Sequence, residues 1–193
     1  MPDLGQDQLQ CFRIERGQIS HLGSHQLRPG AGPRHLEFNK HTTVLYICGE
    51  LDNTVTVLHY NTDLVDLVMA GNYRGDVASE EKSLVRQLQT VSTVPQGLAS
   101  KSTIAEMRLH PSGRLGNIFS LNEIFLSFNS RFLYVGNRGH NSIAVFRVDQ
   151  NSGTLSLVDI QDSHGAFPRH FNFDRTSQFL VVGNHASDNI VGM

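Results

Sequence analysis

Eight side chains in this sequence are of types that bind anions or move protons: Arg34, His35, Glu50, Glu106, Arg138, His140, Arg169 and His170. They fall at related positions. "PRHLEFNKHTTVLYI" begins at Pro33 and "PRHFNFDRTSQFLVV" at Pro168, 135 residues on, and the match runs without a gap to Val55/Ile190. A third copy is split. "AEMRLHPSG" matches the first half, with Leu109 at the place of Phe38, 71 residues on. "RFLYVGNRGHNSIAVF" matches the second half, with Ile143 at the place of Val55, 88 residues on. Across the three copies, position 34 reads Arg, Ala, Arg; position 35 reads His, Glu, His; position 50 reads Glu, Arg, His. Structural positions of a repeat usually keep one residue type, whereas these change charge from copy to copy. Arginine gives bidentate contact to carboxylate or phosphate. A carboxylate or imidazole can activate water or carry a proton, and a guanidinium can stabilise the oxyanion formed when a carbonyl is attacked. Glu50, Arg138, Glu106 and His35 are therefore candidate catalytic groups, and Arg34, Arg169, His140 and His170 candidate substrate-binding groups. The same charges would also suit an ion-pair network between repeats. His35 and His170 would equally serve as hydrogen-bonded structural histidines, and His140, in a turn that matches Asp52, as a loop cap.

The elements that must position these groups are β-strands. Each copy has a strand alternating apolar and polar residues, a polar turn, a dense apolar strand, a Gly/Asn/Asp loop and a further alternating strand, which is a β pattern. A partial fourth copy opens the chain: "DLGQDQLQCF" matches "NRGHNSIAVF", and Leu9 stands 46 residues before Val55. A period near 46 or 47 residues with four short strands per unit predicts an all-β propeller of about three four-stranded blades, residues 1–193 forming one partial domain. In a propeller, positions 34, 35 and 50 converge on one mouth of the central channel. The first copy lacks an innermost strand and the last stops in its third, so a longer parent is expected. Two insertions are expected as well. Residues 114–130, "RLGNIFSLNEIFLSFNS", split the third copy and read as sequence foreign to the unit, of the kind a retained intron leaves. Roughly two dozen extra residues are expected within 61–86. "SEEKSLVRQL" carries spacing suited to a short helix there.

Composition narrows the function classes. Net charge is −2 with 18% charged residues and no basic stripe, which excludes nucleic acid as a partner. No run of 18 apolar residues exists, so no membrane span is expected. "MPDLGQDQLQ" has neither a basic n-region nor an apolar h-region, so a cytoplasmic location is expected. Cys11 and Cys48 sit in strand-like runs and are expected as free thiols. The ten histidines show no spacing of a zinc site, so no metal is expected. "NYRGD" reads as a chance triplet, and Gly30 and Gly32 have no phosphate-loop pattern around them. Oligomeric state is left open.

With the units aligned, "PDLGQDQLQCF", "GAGPRHLEFN", "GELDNTVTVLHY", "QTVSTVP", "AEMRLHPSG", "RFLYVGNRGHNSIAVF" and "PRHFNFDRTSQFLVVGNHASDNIV" together resemble the lactonase family of seven-bladed propellers. That family holds the cycloisomerase-like 6-phosphogluconolactonases and the fungal carboxymuconate cyclases. The resemblance covers most of the chain outside the two insertions. It implies a pocket in the central channel, no cofactor and no metal, and a small anionic lactone or sugar acid as substrate. It also implies that a histidine-bearing inner strand of the kind P-H-x-H precedes "PDLG", and this sequence starts after it. The expected activity is hydrolysis of an anionic sugar-acid lactone, impaired in these 193 residues. The alternatives are a carboxymuconate-type lactone-forming cyclase and a non-catalytic propeller that binds a protein or metabolite.

Overall fold

A computed structural model describes residues 1–39, 42–70, 84–110 and 131–193. It contains fourteen strands and one α-helix among these residues. The strands form four antiparallel meanders. The first sheet joins β1 (Pro2–Asp3), β2 (Gln8–Glu15) and β3 (Gln18–Gln26). The second joins β4 (Pro33–Asn39), β5 (Val44–Gly49), β6 (Thr54–Tyr60) and β7 (Val85–Ser92). The third joins β8 (Thr103–Leu109), β9 (Phe132–Arg138), β10 (Ser142–Val148) and β11 (Leu155–Asp162). The last joins β12 (Pro168–Phe173), β13 (Leu180–Asn184) and β14 (Asn189–Gly192). Two complete blades thus stand between two three-stranded ones.

The blades are held face to face by their alternating apolar residues. Val44, Tyr46, Cys48, Val55 and Val57 of the second sheet pack on Met107, Leu133, Val135, Ala144 and Phe146 of the third, all almost fully buried. Tyr46 spans the interface and donates its hydroxyl to the Gly153 carbonyl at 2.8 Å. Cys11 and Cys48 are free thiols. The inner strands β4, β8 and β12 lie side by side, so one wall is built from three blades.

The loop between the second and third strand of each blade carries a repeated device. Asp7, Asn53, Asn141 and Asp188 occupy equivalent positions, and all have φ between 51° and 56°. Asp and Asn tolerate this left-handed conformation better than other residues with a Cβ. Three of these side chains also grip the loop that leads into the next inner strand. Asp7 accepts from Gly30 N and Gly32 N at 2.7 Å each. Asn53 donates to the Ala99 and Ser102 carbonyls, and Asn141 accepts from Phe167 N. The start of each inner strand is thereby tied to the blade before it.

Hydrogen bonds from Gly32 and Gly30 hold the Asp7 carboxyl below the usual carboxylate range. Asp174, in the β12–β13 turn, is pushed down to about 2, first by the Thr176 hydroxyl and then by Phe179 N. A carboxyl that is more acidic folded than unfolded stabilises the fold above its ordinary range and loses that contribution as pH falls. Asp7→Asn keeps the shape but turns an amide N–H toward one of the two glycine donors. The variant is expected to melt below wild type at about pH 7, with the gap narrowing as pH falls through the ordinary carboxylate range and below it. An unchanged gap across that range in thermal melts would contradict this account.

The helix differs from expectation. It runs over α1 (Thr62–Met69), with Asn61 capping it by accepting from Leu64 N at 3.0 Å. Within "SEEKSLVRQL", residues 79–83 lie outside the described residues, and Val85, Arg86, Gln87 and Leu88 are strand, not helix. Val85 pairs with Tyr60 and is buried, so cross-strand pairing overrides local helical spacing there. Val85 and Arg86, expected inside the second insertion, begin β7. The segment 114–130 lies outside the described residues. The strands flanking it pair Leu109 with Leu133, as Phe38 pairs with Leu45 and Phe173 with Leu180.

Candidate active site

Each inner strand carries a β-bulge at one repeat position. In β4, Arg34 and His35 lie between the pairs Pro33–Gly49 and Leu36–Ile47, facing the single residue Cys48. In β8 the extra residue is Ala105, and in β12 it is Arg169. A bulge breaks strict alternation and re-aims the side chains beside it. Here it sits where the residue types change from blade to blade.

At the mouth, Glu50 lies between two arginines. Arg34 Nε is 3.3 Å from Glu50 Oε2, and Arg138 Nη2 pairs closely with Glu50 Oε1. Both arginines also bond the backbone of β8. Arg34 Nη1 donates to the Ala105 carbonyl at 2.7 Å, and Arg138 Nη2 to the Ile104 carbonyl at 3.1 Å. Arg138 further lies over the Phe167 ring, 5.2 Å from its centre. Two cations face one carboxylate, so this group carries net positive charge. Gly139 makes the tight exit from Arg138 possible: its φ is +86°, and a Cβ there would collide with the Lys101 carbonyl.

One step further along the inner strands, the Glu106 side chain is almost fully buried and its Oε2 pairs with His170 Nδ1 at 2.5 Å. The His170 side chain is 60% exposed, so a buried carboxylate holds an accessible imidazole. His35 lies in the same field. Burial holds it below the usual histidine range, partly opposed by the charge of Glu106. The next step along holds Glu37 and Arg108, 3.6 Å apart. Burial pushes the Glu37 carboxyl up, opposed by Arg108.

The structure therefore brings together Arg34, Glu50 and Arg138, and beside them His35, Glu106 and His170. It leaves Arg169 and His140 outside. Arg169 is exposed and has no partner among the described residues. His140 Nδ1 is engaged by Ser142 Oγ at 2.7 Å, two residues on. Asp52 bonds Thr54 and Ser187 bonds Asn189 in the same way, so this is a recurrent turn closure. His185, at the repeat place of Glu50 and Arg138, stacks obliquely on Phe167. Glu37 and Arg108 escaped the sequence reading, although their repeat position changes as positions 34, 35 and 50 do: Glu37, Arg108, Asn172. Among the described residues no group of three or more His, Cys, Asp or Glu could hold a metal ion. No described helix is long and apolar enough to cross a membrane. A cavity of about 380 Å³ is apolar and lies between the first two sheets among Leu9, Phe12, Leu36 and Leu45, away from these charges.

Antiparallel meanders of up to four strands packed face to face, with charged groups gathered on adjacent inner strands, define part of a β-propeller. The family model of the seven-bladed β-propeller lactonases matches residues 1–193, and the chain belongs to that family. It is 35% identical over 189 residues to the 6-phosphogluconolactonase of Bacillus subtilis, spanning 98% of this chain and 44% of that protein. Among solved structures, a protein from Lactobacillus plantarum superposes with a TM-score of 0.75 at 29% identity, covering 98% of this chain and 46% of that one. The periplasmic gluconolactonase of Pseudomonas aeruginosa gives a TM-score of 0.70 at 28% identity, covering 99% and 45%. The chain thus spans less than half the length of these relatives.

Proposed function

We propose that the protein hydrolyses the lactone of an anionic sugar acid, of the 6-phosphogluconolactone type. The observation that carries this reading is the shared anchorage of two groups. The net-positive Arg34–Glu50–Arg138 clamp and the Glu106–His170 pair both sit on the segment Ile104–Ala105–Glu106 of β8. The names of the relatives from Bacillus subtilis and Pseudomonas aeruginosa support the same class. His170, oriented by Glu106, takes a proton from water as its oxygen attacks the lactone carbonyl. Arg138 and Arg34 face the oxyanion. Collapse breaks the bond from the carbonyl carbon to the ring oxygen, which leaves as a hydroxyl with the proton returned from His170. His35, held neutral by burial near neutral pH, is a second proton acceptor at the same level.

Proton release at constant pH tests this. The full-length protein is expected to open 6-phosphoglucono-δ-lactone well above its spontaneous rate. The same assay on glucono-δ-lactone and a carboxymuconolactone sets the substrate class, and no acceleration on any of the three would overturn the proposal. The 193 residues alone are expected to be much slower in that assay. The four sheets supply only part of the wall of a seven-bladed propeller.

A further inference from the structure

Arg108 differs from the two arginines at the mouth. Arg34 and Arg138 each donate to a β8 carbonyl while pairing with Glu50. Arg108 has no hydrogen bond among the described residues. Its contacts are ion pairs to Glu37 and Glu106, both at 3.6 Å; its Nε, like that of Arg138, is buried without a hydrogen-bond acceptor. The rest of the side chain is accessible, with 38% of its surface exposed. Burial raises the Glu37 carboxyl, which weakens its hold on the guanidinium. Asn172 of β12, at the same repeat position, is exposed, and its Nδ2 makes no hydrogen bond among the described residues.

We infer that Arg108, with Asn172 at the same repeat position of the adjacent inner strand, is the specificity-determining anion site for a phosphate monoester on the terminal carbon of the sugar-acid lactone. This rests on the hydrolase reading above. A carbonyl placed between Arg138 and His170 directs the far end of a six-carbon acid along β8. Arg108 is one alternate residue beyond Glu106, about 7 Å along the strand. A planar guanidinium with unused N–H groups suits two phosphate oxygens.

Calorimetric titration of the full-length protein with 6-phosphogluconate, gluconate and glucarate tests the assignment. Wild type is expected to bind 6-phosphogluconate at least about tenfold tighter than the other two. Arg108→Met is expected to lose about 10- to 100-fold for 6-phosphogluconate and to hold gluconate within about twofold, which also reports that the variant is folded. Arg108→Lys should fall between. Equal losses for 6-phosphogluconate and gluconate, no loss at all, or glucarate binding as tightly as 6-phosphogluconate would overturn it. Lactone turnover in the same preparations separates the two claims. Absent turnover with the binding preference intact sinks the hydrolase reading alone. Intact turnover with an unchanged preference in Arg108→Met sinks the Arg108 assignment alone.

Discussion

Arg138→Ala is expected to lower kcat/KM for lactone hydrolysis by about 10²- to 10³-fold, the range for loss of one oxyanion donor. Three consequences combine. The clamp falls from two cations against Glu50 to one, so its net positive charge disappears. The Ile104 carbonyl loses its donor, and Phe167 loses the cation over its ring. Glu50 is left with Arg34 alone and swings toward it. Arg138→Lys should recover little. Both polar contacts come from the one atom Nη2, but a shorter-reaching ammonium lacks the guanidinium plane that lies over Phe167 while Nη2 meets Glu50 and the Ile104 carbonyl. Glu50→Ala should also be damaging, because it leaves the two guanidinium groups to repel one another across the mouth. Steady-state kinetics, normalised to the folded fraction by circular dichroism, decide the matter. Unaltered turnover per folded molecule in Arg138→Ala and Glu50→Ala would reduce the clamp to a blade-to-blade ion-pair network.

The second large effect concerns the Glu106–His170 pair. His170→Ala is expected to reduce kcat by about 10²- to 10⁴-fold, the usual contribution of a positioned acid–base group. Glu106→Gln should cost a comparable factor without touching substrate. The amide cannot accept from Met107 N and His170 Nδ1 with two carboxylate oxygens, as Glu106 does. The double variant is then expected to be no worse than the poorer single one, since the two residues act as a unit. Losses that multiply would mean that the pair does not function together, and full kcat in His170→Ala would remove His170 from the chemistry.

The resemblance among "PRHLEFN", "AEMRLHP" and "PRHFNFD" was legible because a propeller repeats its strands in sequence. Where residue type changed at a fixed repeat position, the change pointed to Arg34, His35, Glu50, Glu106, Arg138 and His170, and the structure brings these side chains together. Arg108 and Glu37 obeyed the same rule one step along. They went unread because an Arg or Glu in an alternating strand looks like an ordinary solvent-facing residue. His140 shows the opposite case: its type suggested a ligand contact, and its local geometry closes a turn on Ser142. The helix was misplaced because favourable spacing at 79–88 says nothing about the pairing of Val85 with Tyr60.

By itself the sequence determined the β-strands, their order within a unit and the repeat. Alternation, Asx turns and the spacing of copies are properties of the local chain. The tertiary structure decided which charges meet. Arg138 reaches Glu50 across 88 residues and His170 reaches Glu106 across 64. Those pairings depend on how neighbouring blades rotate about a common centre and on the bulges at Arg34, Ala105 and Arg169. The same geometry gives the arginines at the mouth backbone carbonyls to bond and leaves Arg108 with ion pairs alone, a difference of distance and burial that three identical residue types cannot encode.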